Sequence, residues 1–204
     1  MSVVSEPAFV SVREVSAQLV EASARHDYER EIELLLSLRS CVADVEVVHD
    51  GVHVCDRGTE VGVSQLVAYL LDRRYGWSER ADVDSPDSRL NRFKQPLNAA
   101  LDEGVVLASR LSGALWLGAL LGTVCSSDKP VVREQTFRVF FDWLKGQTDS
   151  CADQRASTLT LHFPLIKRLI IRGLTDVWSV VRKKSSQKLY LPCQHLSFEQ
   201  VRVL

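Results

Sequence analysis

The sequence of 204 residues has little of what breaks or staples a chain: six prolines, ten glycines and five cysteines. So few Pro and Gly residues exclude a collagen-like repeat and a broadly disordered chain. The cysteines, Cys41, Cys55, Cys125, Cys151 and Cys193, are odd in number, widely spaced and without a C-x-x-C pair. That pattern speaks against a disulfide framework and for a reducing compartment, cytoplasmic or nuclear. The opening MSVVSEPAFVSVREV has no basic n-region and no sustained apolar stretch, so no signal peptide is read there. There is no P-loop, no Rossmann glycine fingerprint and no G-x-S-x-G. The expectation is a protein without cofactor that is not an enzyme. A membrane-length apolar run is also missing. Val105 to Cys125 comes nearest, but Arg110 interrupts it and leaves fifteen residues from Leu111, which predicts a buried helix and no membrane span.

What is present is ordinary globular material, 46% apolar and 25% charged. The net charge of −1 hides an uneven distribution: residues 155–204 hold nine Lys/Arg against two Asp/Glu, and the preceding residues hold 16 against 24. The C-terminal end therefore suits an acidic or anionic partner. Apolar residues recur at helical spacing along most of the chain, with helix entries expected at Ser5-Glu6-Pro7 and at Ser64. A further helix is expected to end at Glu103-Gly104, QTDSCADQRAS is expected to form a loop, and Pro192 to end the last long helix. VEVVHDGVHVC differs in texture. Its β-branched residues around Asp50-Gly51 predict a small β-hairpin near residues 45–55. Pairing across that turn puts His49 and His53 on opposite faces, so no metal site is expected. The polar, proline-bearing stretch 77–89 divides an N-terminal helical region with the hairpin, 1–88, from helical repeats over 89–204.

One helix pattern occurs twice. DKPVVREQTFRVF, from Asp128 to Phe140, and DVWSVVRKKSSQKL, from Asp176 to Leu189, each place an aspartate before Val-Val-Arg. Arg133 and Arg182 are 49 residues apart, with Val132 and Val181 before them and Phe140 and Leu189 seven beyond. This arrangement over about 105–190 resembles HEAT repeats, whose second helix commonly begins with an aspartate followed by valine-arginine. The resemblance implies a mainly α, HEAT/armadillo-like stack of antiparallel helix pairs. In it Asp128 and Asp176 would cap the second helices, Val132 and Val181 would pack inward, and Arg133 and Arg182 would brace neighbouring repeats.

The repeat does not account for all of the charge. Lys167, Arg168 and Arg172 lie on one expected helix and Lys183, Lys184 and Lys188 on the next, at spacings that gather several on shared faces. Such a cluster is a solvated face, a dock for an acidic protein segment, or a contact for nucleic-acid backbone. The expected function is a non-enzymatic scaffold or adaptor for an acidic protein partner, within a larger complex. Binding of nucleic-acid backbone by the basic C-terminal helices is the alternative.

Overall fold

The protein is mainly α-helical. A computed structural model describes residues 11–43, 48–49, 52–53, 57–76, 88–148 and 152–193. Eight α-helices lie within them: α1 (Val12–Ala24), α2 (Tyr28–Ala43), α3 (Arg57–Leu71), α4 (Ser88–Ala108), α5 (Gly113–Ser126), α6 (Pro130–Thr148), α7 (Ala152–Leu174) and α8 (Ser179–Cys193). The pairs Val48–His49 (β1) and Val52–His53 (β2) run antiparallel, with His49 opposite Val52. Asp50, Gly51 and Cys55 lie outside the described residues.

Local chemistry sets the helix ends. Ser11 and Glu14 form a capping box at α1: the Glu14 N–H donates to Ser11 Oγ and the Ser11 N–H to Glu14 Oε2. At the other end His26 takes a left-handed φ of 55°. The Asp27 N–H then donates to Ala22 O and the His26 N–H to Ser23 O, closing a Schellman motif without glycine. The expected entry at Ser5-Glu6-Pro7 lies outside the described residues. Ser64 is no cap; α3 starts at Arg57 and widens beyond Leu71 into a π-helical turn, Asp72–Gly76.

Three expected stops are likewise overridden. α4 runs through Pro96 and past Gly104 to Ala108. Pro96 faces solvent, where the carbonyl it leaves unpaired is hydrated. Gly104 is a packing residue, since a Cβ there would stand 2.9 Å from Leu70 Cδ2. The apolar run from Val105 is two helices, broken at residues 109–112 where α4 gives way to α5. Ala152 to Ser157 belongs to α7 and Pro192 to α8. No helix among the described residues is long and apolar enough to cross a membrane.

The helices pack in two layers. α1, α3, α5 and α7 touch in succession; α2 packs on α4 and α6 on α8, with the π-helical turn meeting both α4 and α6. α1 also packs with α2, α3 with α4, α5 with α6, and α7 with both α6 and α8. The even helices bury a common pattern one, four, five and eight residues along a stripe: Glu31, Leu34, Leu35 and Leu38; Leu97, Ala100, Leu101 and Gly104; Arg133, Thr136, Phe137 and Phe140. These stripes and the apolar faces of the odd helices form one core cluster, which spans both sides of residues 88–89. Surface pairs tie the even layer along its length: Arg39 to Glu103, Arg74 to Asp102, Lys184 to Glu134 and Lys188 to Asp142. Exposed pairs of this kind add little stability one by one.

Two glycines lie where neighbouring helices approach closely. A Cβ on Gly62 of α3 would lie 3.0 Å from the Arg13 backbone nitrogen of α1. One on Gly173 of α7 would lie 2.7 Å from Ser185 Oγ of α8 and 3.0 Å from Phe137 Cε1 of α6. Gly62→Ala and Gly173→Ala are each expected to cost about 1–3 kcal/mol by overpacking. Gly122→Ala on α5, which meets nothing within 4 Å, is expected to add up to about 1 kcal/mol of helix propensity. Urea midpoints of the three variants check this ordering.

Candidate functional site

α6 and α8 open in the same way. Val132 and Val181 are buried on one side of each helix, and Thr136 and Ser185 follow them inward. Each arginine then reaches back over the preceding turn: Arg133 Nη1 donates to Ser127 O at 2.9 Å and Arg182 Nη1 to Asp176 O at 2.7 Å. The side chains at those two carbonyl positions act alike as well. Ser127 Oγ accepts the Lys129 N–H at 3.3 Å, and Asp176 Oδ1 accepts the Trp178 N–H at 2.9 Å.

This geometry corrects the alignment of the two copies. The counterpart of Asp176 is Ser127, six residues before its arginine, whereas Asp128 stands exposed on the turn and accepts neither bond. Asp176 is not an N-cap either, because α8 starts at Ser179. Its carboxylate instead turns to the neighbouring hairpin. Arg133 Nε donates to Asp176 Oδ2 at 2.9 Å and Nη2 to Oδ1 at 3.3 Å. This two-bond fork is almost fully buried, with 6% and 1% of the two side chains exposed. Burial alone would raise the Asp176 pKa. The Arg133 guanidinium, the Trp178 N–H and the nearby charge of Arg172 outweigh it and hold the carboxyl below its ordinary value.

The anticipated basic cluster is divided by its neighbours. Lys184 lies 3.5 Å from Glu134 and Lys188 3.4 Å from Asp142, both acids being on α6. Arg172 is half-buried near Asp176, and its Nε is buried without an acceptor among the described residues. Lys167 is half-buried, while Arg168 and Lys183 are exposed on α7 and α8. Helical spacing within α8 placed Lys184 and Lys188 on one face, but the acids opposite them sit on another helix.

The turn between α7 and α8 carries a feature that neither charge nor repeat pattern announced. Ile171, Leu174, Val177, Trp178 and Val180 are 40%, 38%, 81%, 52% and 52% exposed. One hairpin earlier two of the five counterparts are charged, Asp128 and Lys129 standing where Val177 and Trp178 stand. Exposed apolar side chains are ordinary when scattered and informative when grouped. The signal was present in the sequence as VWSVV, where three apolar residues, Val177, Trp178 and Val180, precede the buried Val181.

A cleft of about 880 Å³ opens elsewhere, between α1, α3 and the α5–α6 turn, lined by Ser16, Val20, Tyr69, Asp72, Asp128 and Lys129 among others. Its ionisable groups are largely engaged with one another. Lys129 Nζ donates to both Asp72 oxygens, and Arg73 and Tyr69 both donate to the buried Glu31 carboxylate. Burial and the Glu31 carboxylate push the Tyr69 hydroxyl far above its ordinary pKa, so it is no proton donor to a substrate near neutrality. His162, whose pKa burial lowers, packs against Gly113 of α5. Among the described residues no group of three or more His, Cys, Asp or Glu is placed to hold a metal ion.

Compared with family models, curated proteins and solved structures, the chain finds no match.

Replacing Asp176 by Asn strands the Arg133 cation in a buried setting and is expected to cost about 3–5 kcal/mol at neutral pH. The native carboxyl has a lowered pKa, so its contribution is complete above the unfolded value of about 3.9 and disappears as pH falls through the lower native value. Denaturant titrations of wild type and Asp176→Asn from pH 7 to pH 2 should therefore converge at the acid end.

Proposed function

We propose that the protein is a non-enzymatic, HEAT/armadillo-like helical scaffold that presents its α7–α8 end to an acidic protein partner within a larger complex. The two-layer succession of helix pairs and the matched Arg133 and Arg182 turns support the HEAT-like reading. The paired residues Val48–His49 and Val52–His53 support a short hairpin near residues 45–55 beside the stack. The odd number and wide spacing of the cysteines support a cytoplasmic or nuclear setting.

The observation that carries the docking reading is the exposed group of Val177, Trp178 and Val180, with Arg168 and Lys183 exposed on the same two helices. Exposed apolar side chains at a turn whose two flanking helices carry exposed cations suit an amphipathic acidic segment, and a half-exposed Trp is a frequent anchor at protein interfaces. Binding of nucleic-acid backbone is the weaker reading. It needs several cations free on one surface, and Lys184 and Lys188 are drawn to acids of α6.

Trp178→Glu reverses the chemistry of the patch at an exposed position and is expected to leave the fold intact. Cross-linked capture from cell extract by the wild-type chain should lose the same bound proteins with Trp178→Glu, while generic duplex DNA and single-stranded RNA bind neither chain. Salt-sensitive nucleic-acid binding that vanishes with Lys183→Glu/Lys184→Glu would favour the alternative.

A further inference from the structure

Arg133 and Arg182 occupy the same place in successive hairpins, and among the described residues Arg133 alone of the two meets a carboxylate. Both are the fourth residue of their helix, and both spend Nη1 on the turn behind them. Arg133 uses its remaining edge, Nε and Nη2, to grip the Asp176 carboxylate of the next hairpin. Arg182 is exposed, and the same two atoms have no acceptor among the described residues; its recorded bonds all come from Nη1, to Asp176 O and Val177 O. The guanidinium is thus already oriented by its own turn, with its Nε and Nη2 edge unused among the described residues. Beside it lie Val177, Trp178 and Val180.

We infer that Arg182 is the charged anchor of a docking site for a separate polypeptide. That partner would supply an Asp or Glu in a turn, flanked by apolar side chains, in the manner of Asp176 toward Arg133. The inference rests on the scaffold reading above and adds the recognition element. The carboxylate takes the fork from Nε and Nη2, while its apolar neighbours cover Trp178 and Val177. A second copy of this chain is a poor occupant. Two such ends face to face would set a surface bearing the exposed Arg168, Arg182 and Lys183 against an identical surface, with the same sign of charge on both sides. A head-to-tail contact would meet α1 and α2, whose large exposed aliphatics among the described residues are Val20 and Leu36, on separate helices.

The test uses a displayed library of peptides with one Asp or Glu in an apolar frame, selected on the full chain. Synthetic copies of the enriched peptides are then measured by calorimetry. Arg182→Met, and replacement of the peptide's acid by its amide, should each weaken binding about tenfold or more, and the two together no further than either alone. Trp178→Glu should abolish binding. If Arg182→Met lowers thermal stability, Arg182→Lys decides the matter: it keeps the charge but not the fork, so affinity should still fall.

Four results overturn the inference: a library that does not enrich, Arg182 and acid effects that simply add, binding that emerges only when residues 194–204 are removed, and an Arg182-dependent dimer in sedimentation. Peptides that lose binding with Trp178→Glu but ignore Arg182→Met would refute the anchor and leave the docking face standing. Peptides indifferent to both would remove the docking face as well.

Discussion

A guanidinium and a carboxylate removed from water at the junction of two helix hairpins set the terms for the second half of this protein. Charges in that setting are tolerated only when each satisfies the other in good geometry, because the loss of hydration is several kcal/mol per ion. Arg133 and Asp176 meet the condition with a two-bond fork, and each is further tied to its own turn, through Ser127 O and the Trp178 N–H. The pair therefore fixes more than a distance. It sets the α7–α8 turn against the start of α6, and with it the direction in which α8 leaves the stack. Gly173, pressed against Ser185 and Phe137, shows how little room for adjustment the same junction allows.

The place that Arg133 holds is used differently along the chain. The fourth residue of α2 is Glu31, fully buried and matched by Arg73 and Tyr69 from the end of α3. The fourth residue of α6 is Arg133, matched by the following hairpin. The fourth residue of α8 is Arg182, anchored only to its own turn. A charged side chain at this point is a recurring way of joining one helix pair to the next, whichever sign it carries. Polar joints of this kind add orientation to an apolar core that is otherwise indifferent to small rotations.

The helical class and the shared register of α6 and α8 were legible because Val-Val-Arg places its second valine inward with a long cation beside it. The burial of Val132, Val181, Thr136 and Ser185 follows that register. The role of Asp176 was half legible. An aspartate just before a helix reads as a cap, but its neighbour in space was Arg133, forty-three positions away, and nothing local reports that. The false match with Asp128 has the same cause, since residue type drew the eye where hydrogen-bond position decides. Helix limits failed where packing overrode punctuation. Gly104 sits within α4 because Leu70 fills the space beside it, and Pro96 and Pro164 are accommodated on exposed faces. The basic cluster failed for a related reason: spacing along one helix says which lysines are neighbours, not which acids face them.

The central claim is that two arginines anchored alike on their own turns differ in the carboxylate that Arg133 grips and Arg182, among the described residues, lacks. Exchange of the arginine Nε–H with solvent, followed by NMR on the isolated full chain near neutral pH, tests it directly. The account predicts a slowly exchanging Arg133 Nε–H that becomes fast in Asp176→Asn, beside an Arg182 Nε–H that exchanges as in a free arginine in both proteins. Equal protection of the two, or a fast Arg133 in the wild-type chain, would contradict it.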